Sequence, residues 1–78
     1  MPHVIVKLWP GKTEAQKAEL ARAITDDFVR ILGSKETSLS VAFEEVQPDD
    51  WMATVFEPDI LGRWDRLAKE PGYGPRPE

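Results

Sequence analysis

A chain of 78 residues with ten Lys and Arg against fourteen Asp and Glu, one His and no Cys has room for a single domain, residues 1–78. Such a domain buries only about 60% of the surface its unfolded chain exposes, and without disulfides or an ordinary zinc site it must draw added stability from self-association. The net charge of −4 repels nucleic acid, no apolar run approaches the ~20 residues of a membrane span, and no signal peptide is visible, so a cytoplasmic protein is expected.

Pro2 stands directly before a run that reads as a strand. Residues 3–9, HVIVKLW, put Val4, Val6 and Leu8 on one face and His3, Ile5 and Lys7 on the other. Pro10 and Gly11 end it, and Thr13 followed by Gln16 has the form of a capping box. From Thr13 to about Leu32 the residues Leu20, Ile24, Phe28 and Ile31 share one helical face, Asp26 and Arg30 are spaced to pair, and Gly33 supplies the stop. After the polar linker SKETS, LSVAFEEV alternates Leu39, Val41 and Phe43 with Ser40, Ala42 and Glu44 as a second strand. Strand, long helix, strand is a β-α-β unit, which makes the two strands parallel.

Five of the seven prolines lie from Pro48 onward, and regular structure is expected to thin there. A short helix starting near Pro58 accommodates Ile60, Leu61, Trp64, Leu67 and Ala68 on one face despite Gly62. Residues 70–78 read as an extended or mobile tail. A two-stranded sheet under one helix leaves a face and both edges open, and Ile5, Trp9, Trp51, Phe56 and Trp64 exceed what one β-α-β unit hides. Strands of different subunits meeting in one sheet answer both problems.

Several chemistries fail on residue grounds. PGKT has the form of the end of a phosphate-binding loop, but Val6 stands where that loop requires glycine. Lys12, beside a helix N-terminus, is a surface lysine with the charge to meet an anion. Glu44-Glu45 and Asp49-Asp50 are neighbours that point to opposite sides of a strand, not a facing acid–base pair. A lone His3 builds no ordinary zinc site and reads as a structural or pocket-edge residue, and no G-x-S-x-G elbow accompanies the serines. Pro2 has two readings: a strand opener that forfeits no ladder donor, or, once Met1 is removed, a free secondary amine at the end of a rigid strand. An α-amino group with pKa about 8 is roughly one-tenth neutral at pH 7, and apolar walls or nearby cations raise that fraction.

The MPH-x-x-x-K start, GKTEAQKAEL at the helix, TSLSVAFEEVQPDDW across the second strand and the late KEPGY together resemble the 4-oxalocrotonate tautomerase superfamily, over nearly the whole chain. The resemblance implies an α/β (α+β) tautomerase fold: a single β-α-β unit with a short C-terminal helix, its parallel strand pair extended into a larger sheet by dimerisation. QPDDW, the helix after it and PGY are similar to the longer, dimeric bacterial branch of the family, which implies a homodimer rather than a hexamer. Carried over by position, Pro2 is the general base of keto–enol tautomerisation of 2-oxo acids, with no metal or cofactor. Lys12 occupies the place of a carboxylate-binding arginine, as a point charge without the bidentate fork. Ser40 stands where the hexameric enzymes carry a second arginine, which disfavours dicarboxylates and leaves phenylenolpyruvate-like monoacids. Trp51 falls near a pocket aromatic. The alternatives are a hydratase or dehalogenase of unsaturated acids that uses Pro2 as an acid, and a non-catalytic homo-oligomeric binding protein.

Overall fold

The computed structural model describes all residues from Met1 to Glu78, which form two compact units, Met1–Glu45 and Val46–Glu78. The first holds strand β1, His3–Leu8, helix α1, Glu14–Leu32, a 3₁₀ turn at Glu36–Ser38 and strand β2, Ser40–Glu45. The strands pair in parallel with His3 opposite Ser40, Ile5 opposite Ala42 and Lys7 opposite Glu44. The β-α-β unit is therefore as expected, with β1 one residue shorter at its C-terminal end, where Trp9 falls outside it and is 56% exposed, and β2 one residue shorter at each end.

Local chemistry sets the ends of α1. Thr13 Oγ1 accepts from the Gln16 amide at 3.0 Å, and Gln16 Oε1 accepts from the Thr13 amide at 2.9 Å. Two N–H groups without intrahelical partners are thus satisfied reciprocally. At the other end Gly33 adopts φ 68° and its amide donates to Phe28 and Val29 carbonyls, the left-handed cap that glycine reaches without a Cβ penalty. One surface expectation is corrected. Asp26 is taken by Arg22 at 3.2 Å, which also reaches Glu36 at 2.8 Å, and Arg30 pairs with Asp27 at 2.9 Å instead. Arg22 lies one turn before Asp26 and can close the helix onto the Glu36 turn in the same reach.

Ala21, Ile24, Thr25 and Phe28 form the half-buried stripe of α1, with Val4, Val6, Leu8, Val41 and Phe43 half-buried on the strands. No residue of this unit is fully buried. Ile5 remains 49% exposed, and Ile31 and Leu32 on α1 are 64% and 66% exposed. The single chain thus leaves apolar groups in water at the sheet and at the end of the helix.

The second unit departs from the expected short helix at Pro58. Helical backbone begins ten residues earlier, with Pro48 at the first position of a short helix α2, Pro48–Trp51, and continues as a wider π-helical stretch, Met52–Ile60, and a 3₁₀ stretch, Leu61–Arg66. Pro48 suits a first turn as well as Pro58 does, since the missing N–H costs nothing there, and Asp49 and Asp50 follow it where the helix dipole favours carboxylates. Pro58 lies inside the run, where it removes one donor, a disruption compatible with the wider winding.

Val55 and Phe56 are the only fully buried residues, at 5% and 0% exposure. Residues 70–78 have no regular secondary structure, yet Tyr73 packs its ring 5.5 Å from that of Phe56, and Arg76 lies 5.0 Å over Trp64 while pairing with Glu70 at 2.9 Å. Gly74, at φ 78°, makes this closure possible: a Cβ there would stand 2.6 Å from the Phe56 ring. Gly74→Ala is expected to destabilise the protein by about 1–3 kcal/mol through overpacking and strain. Gly72→Ala, where a Cβ meets nothing within 4 Å, should stay within about 0.5 kcal/mol. Equal urea midpoints for the two variants would contradict the packing account.

Candidate active site

Pro2 is half-buried at the start of β1. Its carbonyl accepts from the Ser40 amide at 3.2 Å, so the residue is held to β2 through the one backbone group a proline can offer. Its nitrogen has no role in the strand ladder. Met1, before it, is fully exposed at 103%. Packing therefore gives no reason for Met1 to be retained.

Ser40 is held twice at this corner. Besides the amide bond to Pro2, its Oγ lies 2.6 Å from His3 Nδ1 across the strand pair. Pro2, His3 and Ser40 form one cluster at the N-terminal edge of the sheet, on residues separated by 37 positions at the His3–Ser40 contact. The parallel register creates it, because His3 is the first rung and Ser40 its partner.

Lys12 is elsewhere. It follows the far end of β1, and the six residues of that strand span roughly 20 Å at about 3.3 Å each. There Lys12 lines an apolar cavity of about 230 Å³ with Leu8, Gln16, Lys17, Leu20 and Phe43. The two lysines differ in electrostatics. Lys17, whose side chain is only 13% exposed, pairs with Glu45 at 2.8 Å and Glu14 at 3.4 Å, and the hydrogen bond it donates to Glu45 foremost holds its ammonium above the usual lysine value. It is a fixed cation already answered by carboxylates. Lys12 has no such counter-ion, so an anion entering the cavity meets Lys12.

Trp51 belongs to the second unit, where it is half-buried and its Nε1 donates to the Tyr73 hydroxyl at 2.8 Å. The bond fixes the indole edge and leaves its faces apolar. Of the residues singled out from sequence, the structure thus joins Pro2 and Ser40 directly, sets Lys12 at the opposite end of the strand, and ties Trp51 to the C-terminal segment. The His3–Ser40 contact and the Lys17–Glu45 pair are not visible in the sequence. Both depend on the register of residues far apart, although the Glu14–Lys17 spacing is a local signal for part of the second.

The parallel β-α-β frame, opened by proline, has matches among known proteins. A family model described as "Tautomerase enzyme" matches residues 2–57. Tautomerase PptA of Cronobacter sakazakii is 45% identical over 74 residues, 94% of this chain and 97% of that protein. A probable tautomerase of Xylella fastidiosa is 43% identical, over 95% of this chain and 90% of the relative. Among solved structures, TomN, a 4-oxalocrotonate tautomerase homologue in the tomaymycin biosynthetic pathway, superposes with a TM-score of 0.62 at 30% identity, covering 64% of this chain and 77% of TomN. Fold and sequence place the protein among the isomerases. The chain belongs to the tautomerase family. No helix in it is long and apolar enough to cross a membrane.

The Lys17 pair has a pH signature. A lysine held above its unfolded value, near 10.4, contributes stability that is complete below about pH 10 and is lost as pH rises through the folded value. Native and Lys17→Met proteins should therefore differ in urea midpoint near about pH 8, and the difference should shrink as pH rises past the unfolded lysine value of about 10.4. A difference independent of pH would assign the effect of Lys17 to packing alone.

Proposed function

We propose that the chain interconverts the enol and keto forms of monocarboxylic 2-oxo acids of the phenylenolpyruvate type, with Pro2 as general base after removal of Met1, acting as a cytoplasmic homodimer. The observation that carries this reading is the division of labour at Pro2. The carbonyl is anchored to Ser40 at 3.2 Å, while the nitrogen, which a strand would not use, is free for chemistry once Met1 is gone. The family match that begins at residue 2 supports it.

In ketonisation the neutral prolyl nitrogen takes the enol O–H proton as the carbonyl forms, and the resulting ammonium delivers a proton to C3. One group serves as base and then as acid, and the ring's rigidity keeps the nitrogen in line for both steps. Ser40, a neutral hydroxyl, offers no second cation, which favours a substrate with one carboxylate. Lys12 supplies the charge for that carboxylate. Since Lys12 sits at the far end of β1 from Pro2 of the same chain, the Lys12 contact comes from a second copy. Trp51 contributes an apolar wall suited to an aryl or alkyl group.

Self-association has its own support in the exposed Ile5, Ile31 and Leu32 and in a sheet of two strands, too few to be stable with both edges open.

Intact mass should show Met1 absent. Pro2→Ala should lower kcat/KM for phenylenolpyruvate ketonisation by about 10²-fold or more, and the native rate should fall as pH drops through the amine pKa, the direction expected of a base. Unchanged rates in Pro2→Ala would remove the proline from the reaction. A rate that rises as the amine protonates would point instead to acid use on an unsaturated acid. Sedimentation should give twice the chain mass; a monomer at micromolar concentration would oppose the shared site.

A further inference from the structure

We propose that His3 is a substrate-binding residue of the Pro2 site: its Nε2–H is the donor that meets the substrate's carboxylate or carbonyl oxygen, with Ser40 fixing the tautomer that presents it. This role rests on the reading of Pro2 as base. It starts from the short contact between His3 Nδ1 and Ser40 Oγ, 2.6 Å. Hydrogen bonds donated by N–H to oxygen centre near 2.9–3.0 Å, whereas those donated by a hydroxyl are shorter. The distance therefore fits Ser40 O–H donating to Nδ1. A neutral imidazole whose Nδ1 accepts must carry its proton on Nε2. That nitrogen belongs to an exposed side chain, and Nδ1 is the only ring atom of His3 with a partner in the chain.

The remaining geometry holds this donor at the same corner of the sheet as Pro2. Ser40 binds both members of the pair Pro2-His3, the first through its amide at 3.2 Å and the second through its hydroxyl at 2.6 Å. The imidazole is thus pinned at the same corner that holds the prolyl carbonyl, rather than rotating freely as an exposed side chain would. A pre-oriented N–H donor next to a base is what a substrate oxygen requires, and its ordering is already complete before binding. The position also suits a monoacid. A neutral N–H gives direction to one oxygen without the standing charge that would favour a second carboxylate.

The outward donor and the Ser40 contact are separable, and two variants test them apart. His3→Asn keeps a short amide that can meet Ser40 but has nothing at the Nε2 position. His3→Gln places an N–H near that position. In phenylenolpyruvate ketonisation, His3→Asn should raise KM at least 10-fold with kcat within threefold of native, and His3→Gln should restore KM to within threefold. Imidazole added to His3→Gly should lower KM in a saturable manner.

Because His3 is the only histidine, long-range ¹H–¹⁵N correlation on the folded native protein reads its tautomer without assignment and without any variant. The expected spectrum has Nε2 protonated, and Ser40→Ala should shift it toward a tautomer mixture. A native KM in His3→Asn, equal loss in Asn and Gln variants, or a proton on Nδ1 in the native protein would each overturn the proposal. The outcome for Pro2→Ala is read separately: a fully active Pro2→Ala removes the underlying base, while an inactive Pro2→Ala with an unaffected His3→Asn removes only the substrate-binding role of His3.

Discussion

The parallel register of β1 and β2 is the constraint on which the N-terminal corner depends. With His3 opposite Ser40 as the first rung, one serine can hold Pro2 by its amide and His3 by its hydroxyl. A slip of one residue would turn every side chain of one strand to the other face and dissolve the cluster. Register is defended by the alternation on the helix side, where Val4, Val6, Val41 and Phe43 are half-buried under α1. The same packing that makes the small core thus fixes the Pro2–His3–Ser40 cluster at its edge.

The first unit is ordered without completely burying any residue. Its helix is closed by a capping box and a left-handed glycine, and its strands are covered on one face. Apolar groups such as Ile5 and Leu32 remain in water. For a sheet of two strands this is a poor end state in isolation and a sound one in an assembly. The second unit is built differently, around Phe56, with a C-terminal segment that lays Tyr73 on the ring and uses Gly74 to come close enough. There the absence of regular secondary structure does not mean the absence of packing.

Charge is placed by the same tertiary relations. Lys17, nearly covered, is matched by Glu45 and Glu14, so its positive charge is answered within the fold. Lys12 shares the same cavity without a carboxylate partner. Two cations a few residues apart on the sequence therefore differ in what they can offer a ligand, and the difference lies in what each faces across the fold.

Much of the fold is legible in the sequence because it follows from near neighbours. Periodicity marks β1, α1 and β2, and Thr13, Gln16 and Gly33 announce the ends of α1 through bonds made within four or five residues. Pro2 stands out because a proline before a strand is chemically conspicuous. Pro48 and Pro58 satisfy the same local rule for a helical start, which is why the sequence points to the wrong one, and only burial of Val55 and Phe56 chooses between them. Likewise Asp26 has two arginines within helical reach, and the fold selects Arg22 because Glu36 lies beside it. Composition and spacing by themselves determined the β-α-β order, the absence of disulfide chemistry and the candidate proline. Tertiary structure alone decided that His3 meets Ser40, that Lys17 is paired with Glu45 while Lys12 has no carboxylate partner, and that Trp51 bonds Tyr73. Each of these joins residues distant in the chain, whose approach depends on how whole elements pack rather than on the preferences of the residues themselves.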